Sequence, residues 1–262
     1  MSRSAPTRAT LPGTRPAGAS DEASASQQVR EMFGRIAPRY DLLNHLLSLR
    51  FDVMWRKRVA RRFHDLLASP DARVLDLCCG TGDLAFALAA ESRNQSKGGA
   101  ARITGADFAH PMLVRACEKA RVPSSQAAVE FLEADALSLP FADQSFDLVT
   151  TAFGFRNLAN YAAGLAEIHR ILRPGGHIAI LEFAEPDGPL FGRLYRFYFR
   201  RVLPRIGGVF SGNDQAYGYL PNSVARFPRP IELAKLMEQC SFTAASFERW
   251  TGGIVALHTA KR

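Results

Sequence analysis

A chain of 262 residues, 47% of them hydrophobic, is long enough to form one large domain with a sizeable core. Its cysteines, at positions 78, 79, 117 and 240, form no CxxC pair and no Cys/His spacing suited to zinc, so the sequence predicts neither a metal site nor a disulfide framework. The net charge of +8 favours an anionic partner, whether nucleic acid, an acidic membrane surface or a phosphorylated ligand.

The first 26 residues are rich in serine, alanine and arginine and contain almost no large apolar side chain. Such a segment cannot offset the entropy lost on ordering, so we expect a disordered tail over residues 1–26. The composition also leaves an organellar transit peptide open, although no amphipathic stripe supports it. Because the chain has neither an apolar run of about 18 residues nor the apolar core of a secretory signal, we expect a soluble, cytoplasmic protein.

The next segment, residues 27–70, has the apolar periodicity of helices. Helical patterns cover QQVREMFGRI at 27–36, YDLLNHLLSL at 40–49 and FDVMWRKRVARRF at 51–63. A break at Ala37-Pro38 separates the first two patterns. We therefore expect a helical lid ahead of the main fold.

From residue 72, short β-rich runs alternate with helical runs, which is typical of βαβ units and a parallel sheet. Strands are predicted at 72–77, 102–107, 128–135, 146–153, 177–183, 242–250 and 252–260. Helices are predicted at 83–90, 111–120, 162–172 and 231–239. The sequence thus predicts an α/β, Rossmann-like fold over residues 71–262, with a mostly parallel seven-stranded sheet that ends in an antiparallel hairpin.

The first predicted strand runs into a glycine loop, Gly80-Thr81-Gly82, and a helix follows. Glycines at this point permit positive φ and close approach of the backbone, so the loop predicts a nucleotide-like ligand. Asp76, on the strand ahead of the loop, would repel a pyrophosphate but suits a ligand with a sulfonium and an amino group. It favours S-adenosylmethionine over NAD. A dehydrogenase stays a rival, because Ala85 is tolerated at the third glycine position of the dinucleotide fingerprint.

Two further carboxylates end predicted strands. Asp107 ends the second strand, where an acid can accept hydrogen bonds from both ribose hydroxyls, although a turn-forming carboxylate would look the same. Asp135 ends the third, close to where an adenine ring would lie. Because the carboxyl ends of parallel strands meet at one edge of a sheet, Asp76, Asp107 and Asp135 predict a single site for S-adenosylmethionine.

Eight stretches carry a family resemblance. They are FGRIAPRYDLLNHLLSL at 33–49, VLDLCCGTGDL at 74–84, EADALSLPFADQSFD at 133–147, FGFRNL at 153–158, RILRPGG at 170–176, ILEF at 180–183, VLPRIGG at 202–208 and TGGIVALH at 251–258. Together they resemble the menaquinone and ubiquinone biosynthesis C-methyltransferase family, which methylates a ring carbon of a prenylated quinol. The lid motif, FGxRN and LPRIGG look particular to this family, whereas GTG and RPGG occur across many methyltransferases.

The resemblance implies a class I methyltransferase fold over residues 27–262 and assigns roles to individual residues. The donor contacts that it implies are Thr81, Asp107, Asp135 and Ala136, and the residues implied to line the quinol pocket are Tyr40, Arg156 and Asn157. Many family members have a serine before the Phe-Gly of FGxRN. Because this chain has Ala152 there, any side-chain contact from that position is lost.

Methylation of a quinol carbon requires the ring hydroxyl to lose its proton, since the phenolate makes the adjacent carbon nucleophilic. We expect Arg156 to stabilise this oxyanion. A fixed cation about 4 Å away contributes roughly 4 kcal/mol at an effective dielectric constant near 20, enough to lower a hydroxyl pKa of about 10. A water molecule or Asp135 would accept the proton. In the plainer alternative, Tyr40 caps a lid helix and Arg156-Asn157 bonds neighbouring loop carbonyls.

A basic and aromatic segment at 189–210 lies within a predicted substrate- and membrane-facing insertion at 186–228. Its apolar groups suit a polyprenyl tail and its arginines suit anionic lipid headgroups, although a helix packed on the sheet with solvated arginines would have the same composition. We expect peripheral contact with the inner face of the membrane.

The function expected from the resemblance is conversion of demethylmenaquinol to menaquinol. A benzoquinol C-methyltransferase of the ubiquinone pathway is the nearest alternative. The basic charge also keeps an RNA methyltransferase or a nucleic-acid-binding protein as a rival, but no appended RNA-binding motif supports it, so we expect no nucleic-acid partner. The sequence leaves a homo-oligomer open.

Overall fold

The computed structural model describes residues 13–41, 48, 50–95, 100–122, 128–184, 186, 219 and 222–262. The α-helices are α1 (Glu22–Ile36), α2 (Phe51–Arg62), α3 (His64–Leu67), α4 (Asp83–Gln95), α5 (His110–Ala120), α6 (Tyr161–Ile171) and α7 (Pro230–Gln239). Short 3₁₀ turns occupy Ala37–Arg39, Phe155–Asn157 and Thr251–Gly253. The strands are β1 (Arg73–Leu77), β2 (Arg102–Asp107), β3 (Val129–Glu133), β4 (Phe146–Ala152), β5 (Leu172–Phe183), β6 (Thr243–Trp250) and β7 (Val255–Lys261).

The seven strands form one sheet in the order β3-β2-β1-β4-β5-β7-β6. The pairs among the first five are parallel, whereas β7 is antiparallel to both β5 and β6. The order reverses at β1, whose neighbours are β2 and β4, and an open sheet of this kind binds ligands beyond the carboxyl ends of the strands at such a point. The predicted Rossmann-like sheet with an antiparallel C-terminal hairpin is confirmed.

Both faces of the sheet are buried, because successive residues of a strand point to opposite sides. On β1, Leu75 packs with α6 and α7, and Val74 packs with α2 and α4. From Val74 to its end, the sequence of β1 is therefore apolar except at Asp76. Within the described ranges, every helix is too short or too polar to cross a lipid bilayer.

The predicted disordered tail over residues 1–26 is wrong for its second half. Helix α1 begins at Glu22, where Asp21 and Ser24 form a reciprocal capping box. Residues 13–20 lie along the loop that precedes α6, with the Thr14 amide donating to the Leu158 carbonyl at 2.7 Å. Hydrogen bonds, rather than apolar burial, hold this segment, which explains why its polar composition was misleading. Residues 1–12 lie outside the described part.

Element boundaries differ from the predictions by a few residues. The largest differences are in α4, which continues to Gln95 rather than ending at residue 90, and in β5, which begins at Leu172 rather than 177. Most of the predicted helix at 40–49, and the basic segment at 189–210 with most of the predicted insertion at 186–228, lie outside the described residues.

Candidate active site

An open cavity, with about 860 Å³ of empty space when its solvent-filled mouth is included, lies beyond the carboxyl ends of the central strands. Residues of the loops after β1, β2, β3 and β4 line it, and Ser26, Phe33 and Tyr40 cover it from the lid, which we define as residues 22–41. Of the sequence-predicted site residues, those that line the cavity are Tyr40, Asp76, Gly80, Thr81, Asp107, Asp135, Ala136 and Asn157. Gly82 and Arg156 are not among its lining residues.

The glycine loop after β1 turns through left-handed backbone conformations. Gly80 has φ of 56° and Gly82 has φ of 85°, so both positions favour glycine. A side chain on Gly82 would also meet the Phe131 ring at 2.9 Å. Gly82 therefore sets the close packing of the loop on β3, which explains why it lies behind the cavity wall.

Cys78, at the start of the same loop, is a non-glycine residue with φ of 54°. Its Cβ lies against Gly154, the residue after β4, so closely that a methyl group on Gly154 would overlap it. Burial raises the pKa of the Cys78 and Cys79 thiols well above the usual value. Both thiols are therefore neutral packing groups rather than nucleophiles, in agreement with their small size in a tight loop.

Asp76 is 1% exposed, and its two carboxylate oxygens have different surroundings. Oδ1 accepts a hydrogen bond from the Thr150 hydroxyl at 2.9 Å. Oδ2 has no hydrogen-bond partner in the described structure although it is buried. Burial raises the pKa of Asp76 to about 7, and the Thr150 bond opposes that rise. A buried carboxylate oxygen at the cavity wall without a donor is suited to a ligand that brings a cationic N–H group.

Asp107, at the end of β2, fixes the loop across from it. Its Oδ2 accepts from the Gly80 amide and its Oδ1 from the Ala109 amide, both at 2.8 Å. Burial raises its pKa to about 6, and these amide bonds oppose the rise. Asp135 is exposed on the rim, where it accepts from the Leu137 amide at 2.9 Å. Because a carboxylate has about four lone-pair sites, both side chains keep acceptor capacity for ligand hydroxyl or amino groups.

The Thr81 hydroxyl faces the lid. It donates to Asp41 Oδ1 and accepts from the Lys119 ammonium at 3.1 Å. Its only O–H group is therefore used inside the protein, so the side chain can contact the methyl donor only with its remaining acceptor lone pair. We call the part of the cavity formed by the loops after β1, β2 and β3 the donor side, after the expected methyl donor. Its carboxylates are Asp76, Asp107 and Asp135.

The acceptor side, which we define as residues 153–158 with Glu182 and Tyr219, shows a feature that the sequence did not. Arg156 is 5% exposed and forms an ion pair with Glu182 of β5 at 3.0 Å. The Arg156 amide also donates to Glu182 Oε1 at 3.0 Å, and its guanidinium donates to the Phe153 carbonyl. Arg156 is thus not a free cation facing the cavity. Its expected direct contact with an oxyanion does not fit this geometry, because its charge is already balanced behind the wall.

Asn157 lines the cavity and is held from behind by two partners. Its Oδ1 accepts from the Tyr219 hydroxyl at 3.0 Å, and its Nδ2 donates to the Phe153 carbonyl at 3.3 Å. Tyr219 also contacts the Thr14 hydroxyl at 3.1 Å. Sequence reasoning missed Glu182 and Tyr219, and the only signal for Glu182 was a single acid in the apolar run of β5.

Tyr40 lines the cavity from the lid, and its ring packs edge-on against Phe33 with centroids 6.1 Å apart. It also lies 3.8 Å from the position that a Cβ of Gly80 would take. Tyr40 is therefore at the boundary of the donor loop and the lid. Over the described part of the chain, histidine, cysteine and acidic side chains form no group of three that could hold a metal ion.

Comparison with known proteins places these features in a family. The model of the ubiE/COQ5 methyltransferase family matches residues 21–262, which is nearly the whole chain. This chain belongs to that family. Family membership confirms the predicted enzyme class, a methyltransferase with S-adenosylmethionine as methyl donor. The matched range begins at residue 21, next to the observed start of α1, and so also covers part of the segment predicted to be a tail.

Two relatives illustrate how closely this family member resembles characterised groups. A demethylmenaquinone methyltransferase from Thermus thermophilus is 49% identical over 232 residues, covering 88% of this chain and all of that protein. A ubiquinone/menaquinone biosynthesis C-methyltransferase UbiE from Geotalea daltonii is 39% identical, covering 90% of this chain and 97% of that protein. A solved SAM-dependent methyltransferase from Thermotoga maritima, a possible histamine N-methyltransferase, aligns with a TM-score of 0.59 at 20% identity. It covers 88% of this chain and 98% of its own, and shows the shared fold.

The residues of the donor side fit S-adenosylmethionine. The open oxygen of Asp76 can accept from the amino group, and the remaining lone pairs of Asp107 can accept from the ribose hydroxyls. Within the described residues, no positively charged side chain forms an ion pair with these two carboxylates, although the charges of Arg56 and Arg30 act on Asp76 and Asp107 from a longer distance. A nicotinamide dinucleotide would instead bring a pyrophosphate against Asp76.

Proposed function

We propose that this family member transfers a methyl group from S-adenosylmethionine to a ring carbon of demethylmenaquinol, forming menaquinol. The observation that carries the donor half is Asp76, a cavity-lining residue whose buried Oδ2 has no hydrogen-bond partner among the described residues. The acceptor half is supported by the 49% identical Thermus thermophilus relative, whose name specifies demethylmenaquinone. A benzoquinol acceptor is the second candidate, since the UbiE relative's name includes ubiquinone.

The two sides of the cavity would act differently on the two substrates. S-adenosylmethionine supplies an electrophilic methyl group when it is bound. Asp76 and Asp107 would hold its charged and hydroxyl groups, with Asp135 and Ala136 at the adenine end, while Asn157 and Tyr40 would border the quinol ring. Orientation of the reacting carbon toward the methyl group can contribute about 7–11 kcal/mol.

The ring hydroxyl must also lose its proton. A water molecule in the open cavity can accept it and pass it on to Asp135, an exposed carboxylate on the rim. Arg156 would support this step indirectly, because its pair with Glu182 fixes the backbone from which Asn157 reaches the cavity. The role proposed for Arg156 is therefore to position the acceptor loop, in place of direct contact with the oxyanion.

Incubation with methyl-labelled S-adenosylmethionine and one acceptor at a time tests this function. The acceptors are a demethylated naphthoquinol, a demethylated benzoquinol and total RNA. We expect label in the naphthoquinol, and at least tenfold less in the benzoquinol. Label in the benzoquinol alone would select the second candidate, and label in RNA alone would overturn the quinol function.

We also propose that the protein works at the inner surface of a membrane, since a prenylated quinol resides in the bilayer. Helix α2 supports this location. Its outward face exposes Phe51 and Met54 by 42% and 47%, close to the exposed cations Arg50, Lys57 and Arg61. Apolar groups beside cations are suited to the interface of an anionic bilayer.

Flotation with lipid vesicles tests the membrane surface. We expect wild-type protein to float with vesicles that contain phosphatidylserine and much less with neutral vesicles. The double variant Phe51→Ser with Met54→Ser should lose flotation, whereas Val114→Ser, which changes a 43% exposed apolar residue on α5, should not. Equal flotation of all three proteins would remove α2 from the proposal.

A further inference from the structure

One lysine joins the lid to the donor side at the mouth of the cavity. The Lys119 ammonium, in the last turn of α5, lies 3.0 Å from Asp41 Oδ2 of the lid and 3.1 Å from the Thr81 hydroxyl of the donor loop. It also forms an ion pair with Asp83, the residue that begins α4. An ammonium group has three N–H donors. Each N–H of Lys119 therefore has its own acceptor, one in the lid, one in the glycine loop and one at the start of α4.

The lid reaches the donor loop through the same cluster. Asp41 accepts from the Thr81 hydroxyl with Oδ1 and from Lys119 with Oδ2, so both of its oxygens are bound to groups outside the lid. Without Lys119, the carboxylates of Asp41 and Asp83 would face the same site with no cation between them. Like charges at that separation repel, and the repulsion would push the lid off the donor loop.

Charges of alternating sign continue from this cluster along the cavity mouth. Arg56 of α2 lies 3.4 Å from Asp83 and also pairs with Asp52, one turn earlier on the same helix. Both Arg56 and Asp83 line the cavity. Asp83 is thus held between a cation of α2 and a cation of α5, and Asp41 is the only member of the series that belongs to the lid.

Helix α1 of the lid is held to the core by further contacts, since Ala25 and Val29 are buried and Glu22 accepts a hydrogen bond from Asn160 at 3.1 Å. Residues 37–41 have contacts of their own. Ala37 packs with Ala109 and Met112 in a small buried cluster, and partly buried aromatic residues surround it. Arg115 donates to the Pro38 carbonyl at 3.3 Å. In the described structure, residues 37–41 are thus held over the cavity by this apolar cluster, by the Arg115 hydrogen bond and by the charged cluster.

We propose that Lys119 is a positioning residue of the methyltransferase, which fastens the lid over bound S-adenosylmethionine by bridging Asp41 to Thr81 and Asp83. The inference rests on donor binding in the cavity, which is part of the proposed function. It predicts that losing Lys119 weakens retention of the donor and of its demethylated product together, because the lid covers both. The chemical step itself should change little, since Lys119 does not line the cavity.

If the Lys119 ion pairs served only folding, losing them would lower thermal stability and leave ligand affinity unchanged. The side chains of Lys119, Asp41 and Asp83 are 31%, 33% and 21% exposed, and partly exposed pairs contribute little to folding stability. A contact that favours the closed lid can nevertheless contribute to ligand affinity, because the closed lid is the state that covers the ligand. The decisive comparison is therefore ligand affinity against thermal stability in the same variants.

Titration calorimetry with S-adenosylmethionine and with S-adenosylhomocysteine tests the proposal. We expect Lys119→Met to raise the Kd of both ligands about tenfold, the scale of a lost hydrogen bond to a charged group. The KM for the donor should rise in parallel while kcat stays within about twofold of wild type. Lys119→Arg should restore Kd to within about threefold, since it keeps the cation. Lys235→Met, which removes an exposed lysine from α7, is the matched control and should change nothing.

A double-mutant cycle with Asp41→Asn completes the test. If the bridge exists, the double variant should bind the donor no more weakly than either single variant, because each one already breaks the bridge. Wild-type Kd in Lys119→Met with an unchanged melting temperature overturns the bridge and leaves donor binding intact. A lower melting temperature that Lys119→Arg does not rescue assigns Lys119 to folding and also overturns it. Failure of wild-type protein to bind the donor would instead refute the proposed function.

Discussion

The donor side and the acceptor side of the cavity treat their charged groups in opposite ways. On the donor side, Asp76 is buried, and among the described residues one of its oxygens has no hydrogen-bond partner and no cation forms an ion pair with it. On the acceptor side, Arg156 is equally buried, yet Glu182 balances its charge at 3.0 Å. Asp76 lies on β1 and Arg156 follows β4, the neighbouring strand in the sheet. The difference in pairing therefore comes from the residues themselves and not from how deeply they are buried.

The difference follows the chemistry of the two proposed ligands. S-adenosylmethionine brings an amino group and a sulfonium, so a carboxylate left open by the protein gains its partner on binding. A quinol ring is neutral until it reacts, and an open buried cation beside it would be costly before the reaction. The acceptor side therefore uses its charges to hold its own loop in place, and presents Asn157 to the cavity.

The largest effect is expected from a substitution that removes the counter-charge of Arg156 on the acceptor side. Glu182→Gln leaves the Arg156 guanidinium buried without a counter-charge, and losing one partner of a buried pair typically costs about 3–5 kcal/mol. Urea unfolding of the variant measures this loss. Asp143→Asn, which disrupts the partly exposed pair with Arg170, is the control and should cost less than about 1 kcal/mol. A similar small loss in both variants would contradict internal charge balance as the role of Glu182.

The second largest effect is expected from a substitution that removes the carboxylate charge of Asp76 on the donor side. Asp76→Asn should weaken binding of S-adenosylmethionine about 30-fold, equivalent to roughly 2 kcal/mol for one hydrogen bond to a charged group. Stability of the free protein should hold or rise, because a buried carboxylate without a cation is removed. Calorimetry and urea unfolding measure the two quantities. Asp147→Asn, at the far end of β4, should leave donor affinity unchanged. Loss of stability in Asp76→Asn with wild-type affinity would make Asp76 a structural residue.

The same carboxylate gives donor binding a dependence on pH. With a pKa of about 7, Asp76 is about a tenth ionised at pH 6 and about nine-tenths ionised at pH 8. Donor affinity should therefore rise about tenfold between these values, since the amino group binds the ionised form. Titration calorimetry over this range checks the rise, and the rise should shrink in Asp76→Asn.

Stability of the free protein should show the opposite trend. The pKa of Asp76 is about 7 in the folded state against a usual value of 3.8, so its contribution to stability is present below about pH 4 and is lost as pH rises toward 7. Asp107, with a pKa of about 6, acts in the same direction. Urea unfolding at pH 5 and 7.5 in the presence and absence of donor would separate the two trends. Donor affinity that falls with rising pH would contradict the assignment.

The smallest effect concerns the support of Asn157. Tyr219→Phe removes the hydroxyl that donates to Asn157 Oδ1. The loss of this one hydrogen bond should reduce the stabilisation of Asn157 by about 1 kcal/mol. We expect kcat/KM for the quinol to fall about fivefold while the Kd of S-adenosylmethionine stays at the wild-type value. Steady-state kinetics with the quinol varied at saturating donor measures it. Ser246→Ala, which removes a hydroxyl contact between β6 and β7, should leave both constants unchanged. An equal effect on donor and quinol would show that Asn157 does not belong to the acceptor side alone.

The strands and the strand-end carboxylates could be predicted because their information is local. A run such as that of β1 has few alternatives to a buried strand, and a carboxylate at its end must lie at the ligand-binding edge of a parallel sheet. Asp76 and Asp107 therefore lie on the predicted strands, Asp135 lies two residues beyond the end of β3 rather than on it, and all three line the cavity. The start of α1 was missed because capping and loop contacts, rather than apolar residues, define it.

Pairing between distant side chains could not be predicted from one sequence. Arg156 was correctly placed after β4, but its partner Glu182 lies 26 residues further along the chain and on another strand. The Lys119 bridge joins residues 36 to 78 positions apart in the same way. The residue type gives the charge and hydrogen-bonding groups of a side chain, whereas its partners in the fold decide whether those groups are available to a ligand.

The contact between Cys78 and Gly154 gives the cavity a fixed dimension. Here the loop that would hold the donor touches the loop that would hold the acceptor, through a cysteine Cβ and the bare backbone of a glycine. The gap between the two ligands is consequently set by main chain, which fluctuates far less than long side chains do. The methyl group of an alanine at 154 would lie 2.4 Å from Cys78 Cβ, too close for both loops to keep their positions, so this substitution would separate the donor loop from the acceptor loop.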